Sequence, residues 1–142
     1  MEETIKARCI LEVLARPKEA AVDALKKIIQ NLEENGKKLE VSNEEYSEPK
    51  AMENDFFSAY VKFDISGDLD SIFNFVLDYA PSSIEILEPE KVTMEMVDLQ
   101  TMLNDLSGRL NELDQKIKIY SASNVLLAKE NQELKSKMSD KK

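Results

Sequence analysis

The sequence has no histidine, no tryptophan, one cysteine, three glycines and four prolines in 142 residues. Without histidine, Ser-His-Asp, Cys-His, zinc-water and 2-His-1-carboxylate chemistries each lose a required member. A lone cysteine, Cys9, makes neither an intramolecular disulfide nor a multi-cysteine metal site. The isolated Gly36, Gly67 and Gly108 supply no G-x-G-x-x-G or G-x-x-x-x-G-K-[ST] phosphate cradle. No run of 18 apolar residues is present to span a bilayer, and the opening Met-Glu-Glu-Thr-Ile lacks the basic and apolar regions of a signal peptide. The expectation is a cytoplasmic protein that is not an enzyme, carries no cofactor or metal and does not associate with membranes.

Charge is divided unevenly. Residues 1–94 hold 11 basic and 20 acidic side chains, whereas residues 95–142 hold eight of each. The whole excess of −9 therefore lies in the first part, which would repel a phosphate backbone, so nucleic-acid binding by that part is not expected. Lys135, Lys137, Lys141 and Lys142 make a small basic tip beside Asp140, as solvated helix ends often do. At 42% apolar and 33% charged, the chain fits one domain of about 100 residues with an appendage.

Residues 4–15 alternate, with Ile5, Ala7, Cys9, Leu11 and Val13 on one face, which predicts a strand. Pro17 suits a helix first turn, and Ala21, Leu25, Ile28, Ile29 and Leu32 recur at helical spacing until Asn35 and Gly36 end the pattern. A short strand is expected over residues 38–42, continuing raggedly toward Tyr46. Residues 43–55, with Glu44, Glu45, Glu48, Glu53 and Asp55 around Pro49, read as an acidic connecting loop. Residues 56–65 alternate again, with Phe57, Ala59, Val61, Phe63 and Ile65 inward. Asp68 caps a second helix carrying Leu69, Ile72, Phe73 and Val76, and Pro81 breaks it. A last strand over residues 84–87 ends before Pro89. The order β-α-β-β-α-β predicts an α+β, ferredoxin-like antiparallel sheet with both helices on one face, over residues 1–92. Ile10, Leu14, Phe56 and Tyr60 fall on the other face and suggest that it packs against something.

A heptad register follows. Position d holds Val92, Leu99, Leu106, Leu113, Tyr120, Leu127 and Leu134, and position a holds Met96, Leu103, Leu110, Ile117, Asn124, Asn131 and Met138. A strict seven-residue repeat marks a coiled coil, because a helix lying on a globular core drifts off it. The coiled coil is expected over residues 93–138, with a disordered tail at 139–142. About 44 residues of helix at ~1.5 Å each make a rod of about 66 Å, which must project or meet another helix. Asn at two successive a positions favours a parallel, in-register homodimer, where Arg109 would meet Asp114 and Glu130 would meet Lys135 across the pair. A heteromeric or folded-back helix is the alternative.

Candidate sites are few. Oxygen-bearing Asp64, Ser66, Asp68 and Asp70 alternate like the start of a calcium loop, but Phe75 stands where the closing Glu is needed, so a helix cap explains them better. Glu44, Glu45, Glu48, Glu53 and Asp55 are the candidate surface for a basic partner. Cys9, on an apolar strand face, reads as a small core residue. No spacing points to Lys-Ser or carboxylate-pair catalysis.

Residues 79–92 (Tyr-Ala-Pro-Ser-Ser-Ile-Glu-Ile-Leu-Glu-Pro-Glu-Lys-Val) look like a segment of small uncharacterised archaeal proteins in which a ferredoxin-like domain leads into a helix. Within them, Ile-Glu-Ile-Leu-Glu-Pro at 84–89 resembles the last strand of the WCX extension of WYL-type bacterial regulators. The resemblance implies an architecture and brings no activity. The expected function is a dimeric scaffold or adaptor, with a small-ligand-sensing domain resembling ACT modules as the rival.

Overall fold

Alternating apolar residues make the two longest strands, β1 (Ile5–Ala15) and β4 (Phe57–Gly67), which pair antiparallel without interruption from Ile5 opposite Gly67 to Ala15 opposite Phe57. Opposed residues share a face, so Ile5, Ala7, Cys9 and Leu11 are buried beside Ala59, Val61, Phe63 and Ile65. The computed structural model describes residues 3–35 and 38–140, without the side chains of Asn35 and Asp140. Gly36, expected to end the first helix, lies outside these residues, as do Lys141 and Lys142.

Helix α1 (Lys18–Asn35) begins one residue after Pro17, whose carbonyl accepts from the Ala20 N–H at 3.0 Å, so the proline precedes the first turn instead of joining it. Its buried residues are Ala21, Leu25, Ile29 and Leu32, a single stripe. Helix α2 (Leu69–Tyr79) starts where Asp68 Oδ1 accepts from the Ser71 N–H at 2.8 Å, and it stops at left-handed Ala80. Ile72 and Phe75 of α2 are buried. Phe75 packs edge-on to Phe63 at 6.0 Å and stacks with Tyr79 at 5.5 Å. Both helices share one core with the same sheet face.

The sheet is antiparallel and five-stranded: β2 (Leu39–Tyr46), β4, β1 and β5 (Ser83–Glu88) lie in that order, and β3 (Lys50–Ala51) also pairs with β4. The expected acidic loop at 43–55 is thus replaced by ordered backbone. Glu44 and Glu45 belong to β2, residues 50–51 form a short strand, and Glu53–Asp55 make a 3₁₀ turn. The acidic residues hid this strand because an edge strand with both faces near solvent shows no apolar alternation.

The chain divides into two compact units, Met1–Met94 and Glu95–Lys142. The second contains α3 (Met96–Asp140), 45 residues long and about 68 Å in length at ~1.5 Å per residue. It starts three residues later than expected, leaving Val92 outside the helix, and it includes Ser139 and Asp140 of the expected tail.

Gly67 is required where β4 passes β2, since a Cβ there would stand 2.5 Å from the Lys38 carbonyl oxygen and 2.7 Å from Leu39 Cδ2. Gly108 in α3 has nothing within 4 Å. Gly67→Ala should therefore destabilise the first unit by about 1–3 kcal/mol in urea unfolding. Gly108→Ala should stabilise α3 by about 1 kcal/mol, read from its helical circular dichroism on heating.

Candidate interaction surfaces

On the sheet face away from the helices, Arg8 of β1 stands directly opposite Asp64 of β4. Arg8 Nε donates to Asp64 Oδ1 at 2.9 Å and its Nη2 to Oδ2 at 3.4 Å. A bulge in β2 completes the cluster: pairing passes from Ser42 opposite Asp64 to Glu45 opposite Lys62, so Asn43 and Glu44 face one residue. Asn43 adopts φ 56°, a left-handed conformation that asparagine tolerates, and its Nδ2 donates to Asp64 Oδ2 at 2.9 Å. The hydrogen bond from Arg8, then that from Asn43, holds the Asp64 carboxyl below the usual carboxylate range. Asp64 in turn pushes the Arg8 guanidinium upward. Arg8, Asn43, Glu44, Glu45, Lys62 and Asp64 line an open recess of about 370 Å³.

Of the acidic residues expected to meet a basic partner, Glu44 and Glu45 line this recess, while Glu48, Glu53 and Asp55 do not; all five are exposed. Glu44 is held above the usual carboxylate range by partial burial and then by a hydrogen bond shared with Glu33 of α1. Burial, then Glu44 and Glu33, raises the Tyr46 phenol as well. Arg8, Asn43, Lys62 and Asp64 carry no recognisable motif; only the strand register, which pairs residue 8 with residue 64, brings them together. The same register accounts for the oxygen ligands at 64–70, since Asp64 serves Arg8 and Asp68 caps α2. Among the described residues, no three His, Cys, Asp or Glu side chains converge as a metal would require. Cys9 is buried in the core, which pushes its thiol up to about 12.

On the open face Tyr60, opposite Glu12, falls between Ile10 and Leu14 of β1. Ile10 and Phe56 are half-buried, and Arg16 lies over the Phe56 ring at 4.5 Å while its Nη1 donates to the Asn54 carbonyl at 3.2 Å. Leu14 and Tyr60 are exposed.

The a and d positions form a continuous stripe along α3. Leu103, Leu110, Leu113, Ile117, Tyr120, Leu127 and Leu134 are 48–65% exposed, Leu99 and Leu106 are half-buried, and Asn124 and Asn131 are exposed. Asp114 Oδ2 accepts from Lys118 Nζ of its own helix at 2.9 Å, an i,i+4 pair.

The depressed Asp64 carboxyl makes acid stability testable. A carboxyl whose folded pKa lies below its unfolded value of about 3.9 contributes fully above that pH, and the contribution is lost as pH falls through the folded value. Asp64→Asn should flatten the acid limb of a urea-midpoint profile between about pH 5 and 2. A limb as steep as that of the wild type would show that Asp64 contributes nothing to it.

None of the curated proteins and none of the solved structures matches this chain. Among the described residues, no helix is long and apolar enough to cross a membrane. A family model does match, over residues 6–139, spanning the sheet, its helices and nearly all of α3, and it brings no link to the WCX extension. Its coverage of both units places the whole chain, not one segment of it, within the MJ0538 family, which is named for an archaeal protein.

Proposed function

We propose that this protein is a non-enzymatic scaffold or adaptor of the cytoplasm, in which a ferredoxin-like domain is dimerised by a parallel coiled coil formed from α3. The observation that carries the reading is the unbroken 4,3 spacing of apolar residues from Leu99 to Ile117, exposed except for the half-buried Leu99 and Leu106, continued by Tyr120, Leu127 and Leu134. An isolated helix gains nothing from such a stripe, whereas two helices in register bury it by knobs-into-holes packing. Asn124 and Asn131 at a positions favour two parallel strands, since each side chain then finds its counterpart across the seam. The ferredoxin-like assignment is supported by the order of the long elements, βαββαβ, and by central β1 and β4 flanked by β5 and β2. Each protomer would present Glu44, Glu45, Glu48, Glu53 and Asp55 to a basic partner, and two tethered copies raise apparent affinity without new contacts.

All buried core residues lie between Ile5 and Phe75, so a chain of residues 1–94 retains its core. Light scattering should give a dimer for the full chain and a monomer for residues 1–94. A dimeric truncation would move assembly to the sheet, and a monomeric full chain would overturn the seam. Asn124→Leu with Asn131→Leu should release higher oligomers; unchanged stoichiometry and helix orientation would remove these residues from the specifying role.

A second reading, an ACT-like ligand-sensing domain, is favoured by the polar recess around Arg8 and Asp64, whose volume lies within the range of small-molecule sites of roughly 300–1,000 Å³. Thermal-shift screening with amino acids and nucleotides tests it. A ligand that stabilises the wild type and fails to stabilise Asp64→Asn would support this reading over the first.

A further inference from the structure

The a and d positions of α3 are not alike along its length. From Leu99 to Tyr120 every one of them carries Leu, Ile or Tyr, whereas from residue 124 to residue 138 two of the five are Asn124 and Asn131. Three further weaknesses meet at the first of these asparagines. Residues 119–128 are the longest stretch of the helix without a charged side chain, so no i,i+4 ion pair braces it as Asp114 and Lys118, at 2.9 Å, brace the turn before. The g and e positions that would meet across a parallel pair there are Lys116 with Ser121 and Ser123 with Ala128, in place of the attractive Arg109–Asp114 and Glu130–Lys135 on either side. Ser121, Ser123, Asn124 and Val125 also rank low as helix formers. The earlier half has a weak residue of its own in Gly108, but it lies at an outward f position among Leu103, Leu106, Leu110 and Leu113.

We propose that the paired α3 helices open in two steps about a joint at residues 121–125: the arm beyond it, residues 126–138, leaves its counterpart and returns while the seam from Leu99 to Tyr120 holds the two chains together. The proposal deepens the parallel coiled-coil reading and rests on it. An α-helix satisfies its backbone hydrogen bonds within itself, so what two helices share is the seam, and the half that buries fewer apolar side chains separates at the lower cost. Asn at an a position specifies two parallel strands at a cost in stability, and both of these costs fall on the same arm. Leu127, Leu134 and the facing of Glu130 with Lys135 remain to close it again. Ordinary fraying differs in kind, since it starts from the helix end and fades inward. An arm with an internal joint is the part of α3 that can change neighbours without loss of the dimer.

The test is amide hydrogen exchange of the full chain, read by mass spectrometry on peptic fragments at concentrations where light scattering gives a dimer. Protection, taken relative to the same sequence unfolded, should be at least about tenfold lower over residues 121–131 than over residues 103–117, although residues 121–131 lie well inside a helix that ends at Asp140. The exchange rate of residues 121–131 should not change over about a tenfold range of protein concentration, because opening without dissociation is a unimolecular step. Asn124→Val with Asn131→Val, β-branched residues that keep the preference for two strands at a positions, should raise the protection of residues 121–131 by about tenfold or more and leave the mass unchanged. Equal protection of the two segments in the wild type overturns the proposal, and so does rapid exchange confined to residues 132–140, which is fraying. A rate over residues 121–131 that falls as concentration rises makes the opening a dissociation and overturns it, as does a double variant that exchanges like the wild type. A dimer with evenly protected α3 removes the joint alone, whereas a monomeric full chain removes the seam reading and the joint together.

Discussion

The eleven-residue antiparallel ladder between β1 and β4 is the constraint from which the first unit follows. Because opposed residues share a face, one register sends Ala7, Cys9, Val61 and Phe63 toward the helices and sets Arg8 against Asp64 behind them. A slip of one residue would turn every one of these side chains over. The core and the polar cluster are therefore two consequences of a single alignment. The other elements lean on it: α1 and α2 cover its apolar face, β2 and β5 extend it on either side, and the bulge at Asn43 adds a third polar group to the Arg8–Asp64 pair.

The parts of the fold legible in the sequence were those with two unlike faces. β1, β4 and both helices of the first unit show their periods plainly because one side of each is buried, and Asp68 announced its helix through capping chemistry. β2 was legible only in part. Past Ser42 its residues are all exposed, no alternation survives, and a run of glutamates in such a place resembles a solvated loop. β3 is two residues long, shorter than any pattern can show. The cluster around Asp64 was hidden for a different reason: Arg8 and Asp64 lie 56 residues apart, and an ordinary charge on the polar side of a strand gives no hint of which charge it will face.

Helix α3 obeys a different logic from the domain before it. The first unit buries a core of its own, whereas most a and d side chains of α3 stay exposed along a helix of 45 residues. Gly108 lowers the intrinsic helix stability of α3 by about 1 kcal/mol relative to alanine.

The place of β5 has a mechanical consequence. None of its side chains is buried; it is held by backbone hydrogen bonds to β1, aided by Ser82 donating to the Ile10 carbonyl from both its amide and its hydroxyl. It is also the last strand before α3 in the chain, so tension applied through that helix reaches the domain by way of β5. Under such a pull β5 would peel from β1 and lengthen the connection, while the ladder to β4 and the core between Ile5 and Phe75 stayed closed.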